Sequence, residues 1–274
     1  IIYMSDNGTQ SRAARDIFNA GMRGMKQSVY EGGHRVPFFI RWPGGPLEHG
    51  QDVDELTQVQ DVLPTLIELC GLNAPRANPN NPIEASYPSL VTDFDGDSFA
   101  GLLDGSLDTL HDRMLVIQYR ISGLKWDPAV VLWDKWRLVN PGELYNVETD
   151  PGQTTNVAAQ FPLVAQAMED HYDDWYDEVK PEFDIERWIR IDTTQQSPMM
   201  LYAQDWVGDY CDNRGGLSSA TAVGYWNIEV ATGGVYDIEL RRWPEESGLP
   251  FPAGFSADFT EGSRGARPIT ATNV

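Results

Sequence analysis

A nearly continuous apolar run, Val36 to Trp42, is the feature that most restricts the fold of this chain. Pro43-Gly44-Gly45 follows the run and ends it, because proline and glycine do not extend a strand well. A short run without polar alternation predicts a strand buried on both faces, as in the parallel sheet of an α/β protein. Ile1 to Met4 is a second apolar run, and it predicts a strand that leads into the loop from Ser5 to Gly8.

Composition narrows the class of protein. The chain has 274 residues, 41% of them hydrophobic, which excludes general disorder. No apolar stretch is long enough for a membrane-spanning helix. The net charge of −21 disfavours binding to nucleic acid or to an anionic membrane, so neither is an expected partner. Cys70 and Cys211 lie far apart and form neither a metal-ligand pair nor a disulfide framework, which leaves the redox compartment open.

The pattern of the chain predicts three segments. Residues 1–110 read as part of an α/β core, in which Asp61 to Gly71 forms a helix with Asp61 at its start and Gly71 at its end. Residues 111–182 read as a small antiparallel sheet packed under one amphipathic helix, Pro162 to Lys180. The expected strands of this sheet are Met114 to Tyr119, Ala129 to Trp133, Trp136 to Val139 and Glu143 to Asn146.

Residues 183–274 read as a β-sandwich-like appendage. Gly224 to Val230 and Gly234 to Trp243 both alternate between apolar and polar residues, with a glycine-rich turn between them. This pattern predicts a β-hairpin.

Asp6-Asn7 is the first candidate for chemistry. Asn7-Gly8 would also suit a hairpin turn, but residues 9–18 supply no second alternating strand. A carboxylate and an amide oxygen after a strand are ligands for a hard cation such as Ca²⁺ or Mg²⁺. Asp93, Asp95 and Asp97 resemble the start of an EF-hand loop, but no glutamate follows at its twelfth position.

Lys26 follows a polar, arginine-rich stretch and is either a solvated surface lysine or a clamp for an anionic ester oxygen beside a metal. Glu31-Gly32-Gly33 predicts a turn in which glycine allows a positive φ. Arg35 reads as a structural ion-pair partner. His34 either contacts a substrate or, as the more ordinary interpretation, is a hydrogen-bonded structural histidine.

These segments together resemble the sulfatase family, an alkaline-phosphatase-like superfamily of enzymes. The resemblance covers residues 1–180 and rests on several segments in order. They are Asp6-Asn7-Gly8, Arg23 to Pro37, Arg41-Trp42-Pro43-Gly44, Asp61 to Leu66, Asp95-Gly96-Asp97-Ser98, Lys135 to Val139 and Glu143 to Pro151, closing at Thr155-Asn156. Tyr225-Trp226-Asn227 and Leu240 to Pro244 are similar to an appendage of some bacterial arylsulfatases.

The resemblance implies a sulfuric ester hydrolase with an active-site Ca²⁺, Mg²⁺ being possible, held in part by Asp6 and Asn7. It implies that Lys26 binds the sulfate group, with His34 as a weaker substrate contact. The family's formylglycine nucleophile arises from a Cys/Ser-x-Pro-x-Arg motif, which neither Cys70 nor Cys211 fits. We therefore expect a C-terminal portion of a secreted or periplasmic sulfatase that is inactive alone. Its expected partners are a sulfated small molecule or glycan and, for the whole protein, a formylglycine-generating enzyme.

Two alternatives stay open. The first is a phosphate or phosphonate ester hydrolase of the same superfamily, which the missing nucleophile motif would distinguish. The second is a non-catalytic carbohydrate-binding module in residues 183–274, whose aromatic side chains would stack on sugar rings or, more simply, fill a sandwich core. Those side chains are Trp188, Trp206, Tyr225, Trp226 and Trp243.

Overall fold

The computed structural model describes most of the chain, and the chain divides into two compact units, residues 1–185 and 186–274. The described residues are 1–47, 50–72, 94–119, 123–183, 185–186, 188–192, 194, 196–210, 223–243 and 245–250. Cys211 and Asp93 lie outside them. The predicted segment boundaries, 1–110, 111–182 and 183–274, stay predictions.

The first two strands form a two-stranded antiparallel sheet. Strand β1, Ile2–Met4, pairs with β2, Phe38–Ile40, so that Tyr3 lies opposite Phe39. The prediction of a parallel strand buried on both faces was therefore wrong. Tyr3 and Phe39 are 64% and 63% exposed, because these neighbouring side chains share one face that no described residue covers.

Four short helices accompany this sheet in the first unit. They are α1, Arg12–Ile17; α2, Glu31–His34; α3, Val62–Leu69; and α4, Ala100–Leu103. A 3₁₀ turn, Val59–Asp61, precedes α3, and Gly71 ends it with a positive φ of 61°. The predicted helix is thus confirmed, with Gly71 in its predicted role.

Asp61 has a different role from the predicted cap of α3. Its side chain makes no capping bond to that helix but accepts the Gln58 N–H at 2.7 Å. It also accepts two guanidinium bonds from Arg113, at 2.9 and 2.7 Å. Asp61 is buried, so the arginine pair satisfies a carboxylate that would otherwise be costly to bury. Arg113 also binds Asp97 at 3.1 Å, so this aspartate serves an ion-pair network.

The second sheet is antiparallel and four-stranded, in the order β3-β4-β5-β6. Its strands are β3, Met114–Gln118; β4, Ala129–Trp133; β5, Trp136–Val139; and β6, Leu144–Asn146. Helix α5, Pro162–Phe183, packs on one face of this sheet and buries Met168, Tyr172 and Tyr176. The predicted antiparallel sheet with its packing helix is confirmed, and with it the α/β class.

The second unit contains short strands rather than the predicted hairpin. Strand β7, Ile189–Ile191, pairs in parallel with β10, Ile228–Val230. Strand β8, Val207–Gly208, pairs with β9, Gly224–Tyr225. The hairpin prediction was wrong because Gly224 to Val230 pairs with segments earlier in the chain, and described residues 234–243 form no strand. Within the described ranges, no helix is long and apolar enough to cross a membrane.

Candidate functional site

The loop after β1 is fixed against the segment that carries Lys26. The backbone N–H of Lys26 donates to the Thr9 carbonyl at 3.0 Å, and the N–H of Gly8 donates to the Gly33 carbonyl at 2.9 Å. Asp6 and Asn7 lie directly before these contacts, on the loop that begins where β1 ends. Two segments twenty residues apart in sequence therefore meet, and the predicted site residues lie on neighbouring stretches of backbone.

The side chains of Asp6, Asn7 and Lys26 are left available for a ligand. Among the described residues, none of these three side chains makes a hydrogen bond or an ion pair within the chain. Asp6 is exposed, and Asn7 and Lys26 are half-buried. An ammonium group, a carboxylate and an amide oxygen in one neighbourhood can hold an anion and a hard cation together.

Glycines let these segments approach closely. Gly24 adopts a φ of +91°, two residues before Lys26, which a residue with a Cβ rarely adopts. The predicted positive φ in Glu31-Gly32-Gly33 was wrong, because these residues form helix α2. Glycine is needed there for space instead, since a Cβ on Gly33 would lie 1.9 Å from the Ser28 carbonyl oxygen.

Glu31 anchors this region to the four-stranded sheet. Its carboxylate accepts a 2.7 Å bond from Nε of Arg137 on β5, and its backbone N–H donates to the Gln153 side chain at 2.8 Å. Glu31 is 1% exposed, and Arg137 holds the pKa of its carboxyl below the usual value although burial alone would raise it. Arg137 also donates to the carbonyls of Asp134 and Trp136, at 2.6 and 2.8 Å. The Lys26 segment thus ends on a charged, buried anchor.

Arg23 provides a second anchor three residues before Lys26. Its guanidinium lies 3.7 Å from the centroid of the Tyr30 ring and donates to the Gln153 carbonyl at 2.9 Å. The hydroxyls of Tyr30 and Tyr145 both donate to Glu143, at 3.2 and 3.1 Å. Burial, and then the neighbouring Glu143 carboxylate, raises the pKa of Tyr30. The two tyrosines are therefore neutral donors at physiological pH.

His34 lies beside the Glu31 anchor. Its Nε2 is 3.7 Å from the Glu31 carboxylate, and its side chain is 10% exposed. Burial lowers the pKa of His34 to about 4, although the Glu31 carboxylate favours the charged form. This neutral imidazole fits the structural interpretation, and its predicted contact with substrate stays a prediction. Arg35 pairs with Glu31 at 3.4 Å, which confirms its predicted ion-pair role.

The metal-binding part is tested by the donor set alone. No group of three His, Cys, Asp or Glu side chains able to hold a metal occurs in the described ranges. Asp6 and Asn7 offer two oxygen ligands on consecutive residues, which suits Ca²⁺ chemistry but is fewer than the six to eight ligands that Ca²⁺ takes. The pair therefore fits a portion of a calcium site rather than a complete one.

Charge is distributed unevenly around this site. Residues 1–47 contain six Lys and Arg against three Asp and Glu, which leaves 14 against 38 for the rest of the chain. The segment that carries the candidate site is therefore cationic within a strongly acidic protein. An anionic ligand is attracted here and repelled elsewhere.

Comparison with known proteins agrees with the sequence resemblance. Residues 1–72 match the family model described as Sulfatase. The chain is 22% identical over 176 residues to Arylsulfatase K of Bos taurus, which covers 62% of this chain and 29% of that protein. It is 27% identical over 150 residues to the N-acetylgalactosamine-6-O-sulfatase of Bacteroides thetaiotaomicron, which covers 53% of this chain and 28% of that protein.

Solved structures give a partial superposition. One described for the metabolism of multiple glycosaminoglycans by Bacteroides thetaiotaomicron aligns with a TM-score of 0.48 and 22% identity. It covers 65% of this chain and 38% of that chain. The present chain thus spans less than a third of the length of the two curated relatives above.

Proposed function

Because its first 72 residues match the sulfatase family and its relatives are sulfatases, we propose that this chain carries part of the active site of a sulfuric ester hydrolase. The observation that carries the proposal is the meeting of two loops that leave Asp6, Asn7 and Lys26 without partners among the described residues. Residues that serve only folding are paired here, as Glu31 and Arg23 are. Unpaired polar groups on such anchored backbone are therefore suited to a ligand.

Each group has a distinct role in this proposal. Asp6 and Asn7 hold Ca²⁺, or Mg²⁺, which when bound neutralises sulfate oxygens and polarises the ester. Lys26 donates to a sulfate oxygen and offsets the negative charge that develops during ester cleavage. His34 is retained as a weaker substrate contact, in its neutral form.

The nucleophile lies outside these 274 residues, because no Cys/Ser-x-Pro-x-Arg segment occurs in them. A formylglycine produced by a formylglycine-generating enzyme would complete the whole protein, which we place in the periplasm or outside the cell. The chain alone should not turn over a sulfate ester. Substrates of the whole protein are aryl sulfates or sulfated glycans, since relatives are named an arylsulfatase and an N-acetylgalactosamine sulfatase.

The metal-binding role is tested by adding Ca²⁺ to the isotope-labelled chain and following the Asn7 side-chain amide by NMR. We expect a shift with a Kd on the order of 10⁻⁴–10⁻³ M, since only two ligands are present. Asp6→Asn should weaken this binding at least tenfold, because it removes the only full charge among the two ligands.

The matched control is Asp134→Asn, which removes one charge from a side chain that is 74% exposed and distant in sequence. This control should leave the Asn7 titration unchanged. The metal-binding role is contradicted if Ca²⁺ does not shift Asn7, or if both variants weaken binding equally.

A further inference from the structure

We propose that Arg12 and Arg15 on α1 form a second anion subsite beside Lys26, so that the substrate carries another anionic group near its sulfate ester. This inference rests on the proposed function and narrows the substrate class to polysulfated or uronic-acid-containing esters.

Thr9 fixes the start of α1 beside Lys26. The Thr9 carbonyl accepts the backbone N–H of Lys26 at 3.0 Å, and the Thr9 hydroxyl accepts the N–H of Ser11 at 3.2 Å. Ser11 caps α1 by accepting the Ala14 N–H at 3.2 Å. The helix therefore begins within two residues of the backbone contact that positions Lys26.

Arg15 extends toward the Lys26 segment. Its Nη1 lies 3.7 Å from the sulfur of Met25, the residue directly before Lys26. Its Nε and Nη2 both donate to one oxygen of Asp16, at 2.9 and 2.6 Å, which leaves Nη1 as the part that faces Met25. The guanidinium is 37% exposed, so solvent or a ligand can reach it.

Arg12 supplies the second cation. It lies three residues before Arg15, so both side chains share one face of α1. Arg12 is exposed and makes no ion pair with any described residue. The pair thus places two guanidinium groups, one of them without a carboxylate partner, on the same side of a short helix.

The surrounding charge favours an anion at this pair. The protein carries a net charge of −21, yet residues 1–47 have three more basic than acidic side chains. Guanidinium groups bind sulfate and carboxylate groups through paired N–H donors. One sulfate at Lys26 and a neighbouring anionic group at Arg12 and Arg15 would both lie on this cationic segment.

The experiment compares two ligands on the intact 274-residue chain. The probes are a disaccharide with three sulfate groups and the same disaccharide with one, each titrated by calorimetry and by NMR in the presence of Ca²⁺. Acetylation of Lys26 in the same mixtures reports whether the ligand reaches the Lys26 site. The variant is Arg12→Gln with Arg15→Gln, and the control is Lys125→Gln with Lys135→Gln, which changes the net charge equally.

We expect the trisulfated disaccharide to bind the parent chain about tenfold more tightly than the monosulfated one, as for one extra charge-assisted contact. The arginine variant should lose this advantage and keep its monosulfated affinity, whereas the control should keep both. An unchanged preference in the arginine variant, or an equal loss in the control, overturns the subsite.

The two proposals fail in different ways. Protection of Lys26 by both ligands with an unchanged preference in the arginine variant removes the subsite and leaves the proposed function. Binding that depends on Arg12 and Arg15 without any protection of Lys26 contradicts the proposed function, and it also overturns the assignment of the pair as a neighbour of a sulfate-ester site.

Discussion

Replacing Arg137 with methionine should lower the free energy of unfolding by about 3–5 kcal/mol, because it leaves a buried charge without its partner. Arg137 Nε donates to Glu31 at 2.7 Å, and the two side chains are 7% and 2% exposed. Methionine fills much of the same space but donates no hydrogen bond. Glu31 then keeps only Arg35 at 3.4 Å, whose side chain is 63% exposed, and the half-buried His34, whose neutral imidazole supplies no charge.

Two further variants make this prediction specific. Arg35→Met removes an exposed partner and should cost no more than about 1 kcal/mol. Glu31→Gln combined with Arg137→Met removes both buried charges and should recover part of the loss. Urea denaturation followed by circular dichroism measures all three. An Arg137→Met chain within 1 kcal/mol of the parent would show that the anchor contributes little to folding.

Replacing Tyr172 with alanine is expected to destabilise the fold by about 3–5 kcal/mol, the range for truncating a large buried aromatic side chain. Tyr172 is fully buried between α5 and the four-stranded sheet, and its ring stacks on Trp126 with centroids 3.7 Å apart. Its hydroxyl accepts the Trp126 backbone N–H at 2.7 Å and donates to the Gln118 side chain at 2.6 Å. The alanine variant loses the packing and both hydrogen bonds.

Tyr172→Phe separates these contributions. It keeps the ring but leaves two polar partners unpaired, so we expect a loss of about 1–3 kcal/mol. Leu163→Ala on the same helix is the surface control, because Leu163 is 84% exposed. Thermal and urea unfolding measure each change. Equal stabilities for the alanine variant and the surface control would refute the assignment of Tyr172 as a core residue.

Elements governed by local patterns could be predicted from the sequence. Strands β4 and β5 were predicted at their observed bounds because each is a short apolar run ended by a turn. The helix Pro162–Phe183 was found through its repeating apolar positions, since burial on one face of a helix imposes that spacing. In each case the signal and the element occupy the same few residues.

Other elements depend on pairing between distant segments. Gly224 to Val230 alternates like a hairpin strand, but its pairing with β7 and β8 rather than with the following segment is a matter of tertiary structure. Asp61 has the right chemistry for a helix cap, yet the buried Arg113 competes for its carboxylate with stronger bonds. Neither choice can be read from neighbouring residues alone.

The candidate site divides in the same way. Asp6, Asn7 and Lys26 were selected by their chemistry and position, and the structure places their backbone segments together. The residues that anchor this region were missed, because Arg137 and Gln153 lie 106 and 122 positions from Glu31. No local pattern marks such partners. A polar residue inside an otherwise apolar strand, such as Arg137 in Trp136–Val139, is the only signal that could have pointed to one.

The central claim is that Lys26 binds the sulfate group of an ester, and acetylation of the four lysines tests it directly. The intact chain is treated with acetic anhydride in Ca²⁺-containing buffer, with and without sodium sulfate, and each lysine is quantified by mass spectrometry. We predict that sulfate slows modification of Lys26 several-fold and leaves Lys125, Lys135 and Lys180 unchanged, with Asp6→Asn reducing the protection. Sodium phosphate at equal ionic strength should protect Lys26 less. Equal modification of Lys26 with and without sulfate would contradict the account, and stronger protection by phosphate would favour a phosphate-ester hydrolase.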